Sequence, residues 1–178
     1  MKIDVTTVLN KRADKLDFEF DLDLTQVACD VILPEDVDLP EPCHVAGCVK
    51  DQNNCMSLSC TVMVKYHTLC DRCLDDIDGV LTFDLEKTVS TDEAPEGYED
   101  DPTYDDVAFV SESAIDIDPA LVEETALRLP PYHLCSPDCP GLCPRCGKKL
   151  SEGDCGCSEK KEIDPRLKKL QKLLDNFD

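Results

Sequence analysis

Residues 16–24 read LDFEFDLDL, with Leu16, Phe18, Phe20, Leu22 and Leu24 alternating against Asp17, Glu19, Asp21 and Asp23. Strict alternation sends the two sets to opposite faces of an extended chain, so this stretch predicts a half-buried strand with carboxylates toward water. Cys43 to Val49 is a shorter strand candidate, and the turn-rich KDQNN of residues 50–54 behind it predicts a hairpin. The next strand runs from about Met56 to Leu69, with Leu58, Cys60, Val62, Val64 and Tyr66 on one face. The turn-like CDRCLDDIDG then leads into VLTFDLEKTV, where Leu81, Phe83 and Leu85 share a face. A run of about four to six such strands predicts an antiparallel sheet, curled or barrel-like.

The pattern then changes. Residues 91–118 hold eleven Asp and Glu and no Lys or Arg, punctuated by Pro95, Gly97 and Pro102. Such a run is ordinarily a solvated acidic loop, and its sharper reading is a lure for a basic partner. Within it, VAFV at 107–110 is a short strand candidate. Asp118-Pro119 supplies an N-cap and a first-turn proline ahead of ALVEETALRL, predicting a helix over 119–129 that Pro130-Pro131 ends. A second helix is predicted from IDPRLKKLQKLLDNFD. Asp164 caps it, Pro165 opens it, and Leu167, Leu170, Leu174 and Phe177 form one stripe. The expected fold is therefore α+β: an acidic antiparallel sheet body over residues 1–131, then a small zinc-ribbon-like element with a basic amphipathic helix over 132–178.

Charge divides along the same line. The 178 residues carry 18 basic and 39 acidic side chains, a net charge of −21. Residues 140–172 hold nine of the basic residues against five acidic ones, a local balance of +4. A chain this acidic repels nucleic acid at long range, because phosphate affinity comes from Lys and Arg displacing counterions. The residues suited to RNA or another partner are thus Arg145, Lys148, Lys149, Arg166, Lys168, Lys169 and Lys172. The first twenty residues lack the apolar core and small-residue cleavage site of a secretory signal. No apolar run approaches the roughly 20 residues that cross a bilayer. The expectation is a cytoplasmic protein with no membrane partner.

Thirteen cysteines change the picture. Disulfides are rare in reducing compartments, and an odd count cannot form a complete framework within one chain. The strongest local signal is LCPRCGKKLSEGDCGC, residues 142–157. Its Cys-Pro-Arg-Cys-Gly turn folds back on itself, so two sulfurs converge while backbone N–H groups point at them. Gly156 lets Cys155 and Cys157 reach the same ion. Cys143, Cys146, Cys155 and Cys157 are therefore candidate Zn2+ ligands, with buried or surface-reactive thiols as the plainer reading. About one ion per chain is expected of one closed four-ligand site. Cys135 and Cys139 leave the assignment open. They replace Cys155 and Cys157, bind nothing, or hold a second ion with the C-x-x-C pair Cys70 and Cys73. Cys48, Cys55 and Cys60 read as packing residues in or beside strands. His133 is a possible ligand, although a solvent-facing histidine is the commoner outcome there.

No Ser–His–Asp signature, phosphate-binding loop or HExxH motif is present, and carboxylates are too abundant to single out an acid–base pair. The expectation is not an enzyme. Three elements in order resemble the YceD-like family of large ribosomal RNA subunit accumulation proteins, in its cysteine-rich Gram-positive and plant branch. They are LCDRCLDD (69–76), CSPDCPGLCPRCGKKLSEGDCGC (135–157) and DPRLKKLQKLL (164–174). Cys43, Cys48, Cys55, Cys60 and the acidic loop depart from that pattern. The resemblance implies a role in accumulation or processing of large-subunit (23S) ribosomal RNA and 50S biogenesis, and it supplies no catalytic residue. The RNA contact would be direct or indirect. Two other readings stand beside it: a chaperone of a basic ribosomal protein, and a thiol redox or metal-sensing protein built on Cys70 and Cys73.

Overall fold

The computed structural model describes residues 2–28, 33–52, 55–93, 95, 97 and 101–157. They fall into two compact units, one of Met1–Leu69 with Asp76–His133 and the other of Cys70–Asp75 with Leu134–Asp178. The first unit holds eight strands: β1 (Lys2–Asp4), β2 (Lys15–Leu22), β3 (Val37–Asp38), β4 (Cys43–Gln52), β5 (Cys55–Leu69), β6 (Asp76–Ser90), β7 (Val107–Ser111) and β8 (Ala114–Asp116). It also holds a single-turn helix α1 (Thr6–Leu9) and the longer α2 (Asp118–Arg128). The strands form one sheet in the order β1-β8-β7-β6-β5-β4-β2, with β3 on β5.

The alternating pattern decides the geometry. In β5 the buried hydrophobic positions are Met56, Leu58, Cys60, Val62 and Val64, every second residue. β6 answers with Phe83, Leu85 and Val89, and the two strands pair without a break from Met56↔Val89 to Leu69↔Asp76. In β2, Leu16, Phe18, Phe20 and Leu22 pack on the core while the intervening carboxylates are exposed. The sheet curls into a nearly closed, barrel-like body. One hydrophobic cluster takes Ile3 from β1 at one end of the strand order and the β2 side chains from the other. Helix α2 adds Leu121 and Val122 to that cluster, and Arg128 lies 5.2 Å from the centre of the Phe83 ring. This is the expected α+β antiparallel body. The one parallel pairing among its described strands is the short contact of β6 with β7.

Three local departures have physical causes. β6 begins at Asp76, where the sequence suggested a turn running to Gly79. Gly79 lies opposite Tyr66, and a Cβ there would come 2.2 Å from the tyrosine ring, so this glycine makes room for a side chain within a ladder. Part of the predicted acidic loop is a hairpin of β7 and β8. Its two connecting residues, Glu112 and Ser113, have φ of 50° and 66°, the left-handed pair of a type I′ turn, without the usual Asn-Gly. Helix α2 starts at Asp118 itself, so the N-cap position falls to Ile117, which makes no side-chain cap, and the Asp118 N–H donates instead to Asp116 Oδ1 at 3.1 Å. Leu129 turns extended ahead of Pro130, as that proline requires. The helix predicted within residues 163–178 lies outside the described residues. Among those described, no helix is long and apolar enough to cross a membrane.

Carboxylates crowd the solvent side of this sheet. His44 sits between Asp21 and Glu19, with Nδ1 2.9 Å from Asp21 Oδ1. His67 Nδ1 lies 2.8 Å from Asp78 Oδ1, and that hydrogen bond holds the imidazole above its ordinary range. Lys65 pairs with Glu41 at 2.8 Å.

Gly47 offers a test of the packing. It faces Cys60 across the β4–β5 ladder, and an added Cβ would stand 2.3 Å from the Ser59 carbonyl oxygen and 2.4 Å from Cys60 Cβ. Backbone in mid-sheet cannot swing aside, so Gly47→Ala should destabilise the chain by about 1–3 kcal/mol. Urea denaturation measures it, and an unchanged midpoint would contradict the close approach.

Candidate metal centres

The second unit gathers eight cysteines into two groups of four. Cys70, Cys73, Cys135 and Cys139 form one, and Cys143, Cys146, Cys155 and Cys157 form the other. Within each group all four sulfurs lie within 4.8 Å of one another. The sequence-predicted ligands Cys143, Cys146, Cys155 and Cys157 are thus brought together as one tetrad. Cys135 and Cys139, left open between three assignments, stand with Cys70 and Cys73.

The two C-x-x-C turns are built alike. Both read Cys-x-Arg-Cys: Cys70-Asp71-Arg72-Cys73 and Cys143-Pro144-Arg145-Cys146. In the first, the Leu74 N–H donates to the Cys70 carbonyl at 2.9 Å and the Cys70 N–H to the Asp75 carbonyl at 2.8 Å. In the second, the Gly147 N–H donates to the Cys143 carbonyl at 2.9 Å and the Cys143 N–H to the Lys148 carbonyl at 2.8 Å. The fifth position is left-handed in both, Leu74 at φ 59° and Gly147 at φ 72°. Gly147 meets that demand without a Cβ penalty, while Leu74 carries it with a side chain pointing largely into solvent.

This turn aims backbone N–H groups at its first sulfur. The Cys135 N–H donates to Cys70 Sγ at 3.4 Å, and with the Arg72 and Cys73 amides it brings the Cys70 thiol down to about 6. The Arg145 and Cys146 amides do the same for Cys143, also to about 6. A thiolate is the form that ligates metal, so each turn presents one sulfur already inclined to bind. Two strand cysteines behave oppositely. Burial pushes the Cys43 and Cys60 thiols up to about 11, and both belong to the hydrophobic cluster of the sheet. Cys60 is the packing residue it was expected to be, whereas Cys55 is exposed and Cys48 half-buried beside the Ser59 hydroxyl, 3.6 Å away.

The segments carrying the first tetrad are tied by backbone contacts within this unit. Arg72 donates from a guanidinium nitrogen to the Cys139 carbonyl at 2.9 Å, and its own carbonyl accepts from the Leu142 N–H at 3.0 Å. Gly141, at φ 76°, lets the chain pass close to Arg72. Lys149 pairs with Asp75, and this contact holds the Asp75 carboxyl below the usual carboxylate range. Of the residues proposed to meet a partner, Lys149 is therefore engaged inside the unit. Arg145 and Lys148 are exposed on the second turn. Arg166, Lys168, Lys169 and Lys172 lie outside the described residues. His133 belongs to neither tetrad and does not face solvent: it is buried, with its ring 5.7 Å from that of Tyr66. Arg72, Leu74 and Asp75 were not singled out from sequence. The repeated Cys-x-Arg-Cys is the signal by which Arg72 is legible in the sequence.

The family described as "Large ribosomal RNA subunit accumulation protein YceD" matches residues 58–174. YlbN of Bacillus subtilis strain 168 is 32% identical over 170 residues, covering 92% of each chain. Rv2926c of Mycobacterium tuberculosis H37Rv is 35% identical over 106 residues, which is 59% of this chain and 49% of that protein. A Mycobacterium bovis protein, Mb2951c, matches to the same extent, so the chain spans about half the length of these mycobacterial relatives. No solved structure matches.

The left-handed Leu74 gives a test of the turn. Leu74→Gly removes the Cβ penalty of about 1–2 kcal/mol and adds some backbone entropy cost, for a net gain of up to about 1 kcal/mol. Leu74→Val, branched at Cβ, should lose a similar amount. Hydrogen-exchange protection of the Cys70 and Leu74 amides should rank glycine first, leucine second and valine last. The reverse order would contradict the assigned backbone.

Proposed function

Because the chain belongs to the YceD family of large ribosomal RNA subunit accumulation proteins, we propose that it is a non-enzymatic factor in accumulation of 23S ribosomal RNA and biogenesis of the 50S subunit. The family match over residues 58–174 carries this reading. It works in the cytoplasm, where ribosomes are assembled. Zinc held by Cys143, Cys146, Cys155 and Cys157 stabilises the fold of the C-terminal segment, four thiolates being a donor set of structural zinc sites. The residues of this chain hold and orient the ion, and no substrate chemistry is assigned to it.

A second reading has its own support. The solvent side of the sheet carries Asp17, Glu19, Asp21, Asp78 and Asp84, with few cations to offset them. That suits a chaperone holding a basic ribosomal protein before assembly, with the effect on ribosomal RNA exerted through that protein. A thiol redox role for Cys70 and Cys73 is disfavoured physically. Both are buried, and exchange needs an accessible sulfur.

Depletion of the protein should lower 23S relative to 16S ribosomal RNA, and re-expression should restore it. An unchanged ratio would end the leading reading. Pull-down at low and moderate salt, scored for RNA and ribosomal proteins together, separates direct from indirect action. If a basic protein is the partner, it should be lost as salt rises, and charge reversal at Lys168, Lys169 and Lys172 should matter little.

Cys143→Ser should lower zinc content and loosen residues 142–157 while leaving the β-sheet circular dichroism in place, because a closed zinc site supplies local folding energy. Collapse of the whole chain in that variant would contradict the separation of the two units.

A further inference from the structure

We propose that Cys70, Cys73, Cys135 and Cys139 hold a second zinc ion, in a closed four-thiolate structural site that releases its metal more slowly than the other tetrad. This goes beyond the function proposed above and stands whether or not the chain acts on ribosomal RNA.

The sulfur spacing is the first support. With Zn–S bonds of about 2.3 Å, the edge of a tetrahedron of sulfurs is about 3.8 Å. Cys70 and Cys139 have their sulfurs 3.8 Å apart, and Cys73 and Cys135 theirs 3.5 Å apart. A disulfide would need about 2.05 Å. The distances thus fit four ligands around an ion and not two covalent pairs.

Local design is the second. The Cys70 turn repeats the hydrogen bonds of the Cys143 turn one for one, down to a left-handed fifth residue. The Cys70 turn tolerates a leucine there, a cost that the surrounding structure must offset. Four ligands drawn from two distant stretches of chain supply such an offset, because the ion fixes both ends at once.

Burial is the third. Cys70 is 0% exposed, Cys73 2% and Cys139 2%, and Cys135 alone of the four is exposed. Packing would explain buried thiols in an apolar core, as it does for Cys43 and Cys60. None of these three belongs to the hydrophobic cluster. Buried sulfurs outside that cluster, gathered within 4.8 Å of one another with Cys135, fit a metal centre. The other tetrad has one buried member, Cys143, and its remaining three are exposed or half-buried. A chelator attacks an ion through its solvent-facing side, so the Cys70 tetrad should be the slower to exchange.

Elemental analysis of the full chain, purified with zinc under reducing conditions, should give about two zinc ions per chain. Alkylation of the native protein, mapped by mass spectrometry, should find Cys70, Cys73, Cys135 and Cys139 protected as a group. On adding a strong chelator they should become reactive together, and after Cys146 and Cys157. Cys73→Ser with Cys135→Ser should lose one equivalent of zinc. If that variant fails to fold, the alkylation map of the unaltered chain still decides. Protection of this group alone, with about one zinc, supports this site and removes the other. Free alkylation of the group in the zinc-loaded protein would overturn the proposal. So would a mass lower by about 4 Da, reporting Cys70–Cys139 and Cys73–Cys135 disulfides, or a later loss of protection at Cys146 and Cys157 than at this group.

Discussion

The pairing of β5 with β6 is the constraint on which the rest depends. Two long strands stay in register from Met56↔Val89 to Leu69↔Asp76, and one residue of slip would turn Leu58, Val62 and Val64 out of the core. What joins them is the first cysteine turn. Its Cys70 N–H donates to the Asp75 carbonyl at the point where the ladder stops. A hairpin loop of this length has many conformations, and loop closure alone selects none of them. The left-handed Leu74 and the amides converging on Cys70 select one, so the chain that ends the sheet also presents two of its sulfurs in a defined way.

The cysteines illustrate how one residue type serves two physical roles. Cys43 and Cys60 are small apolar groups, raised to about 11 by burial and inert for that reason. Cys70 and Cys143 sit where amides stabilise negative charge and are lowered to about 6. At Cys43 and Cys60 burial is the dominant influence, whereas at Cys70 and Cys143 the backbone amides outweigh it.

Much of this was legible in the sequence. Alternation in LDFEFDLDL and VLTFDLEKTV placed β2 and most of β6, because a period of two has one structural meaning when one face is buried. Proline placed the end of α2. The Cys143, Cys146, Cys155 and Cys157 grouping followed from local spacing. Partnership of Cys135 and Cys139 with Cys70 and Cys73 did not, because it joins residues over sixty positions apart that no local pattern links. β7 and β8 were half hidden for another reason: Glu112-Ser113 adopts a turn that its residue types do not advertise. His133 was misjudged because its neighbour in space, Tyr66, is far away in sequence.

Metal and charge bear together on the choice of partner. Four thiolates around Zn2+ carry a net −2, so loading the Cys143 tetrad would lower the balance of residues 140–172 from +4 to +2. Loading both tetrads would take the whole chain from −21 to −21 − 2 − 2 = −25. The Asp75–Lys149 pair withdraws a further cation from service. Each step that orders the C-terminal unit thus weakens its attraction for phosphate and strengthens the attraction of the whole chain for a cationic protein. A folded chain with both tetrads loaded would be electrostatically better matched to a cationic surface than to phosphate.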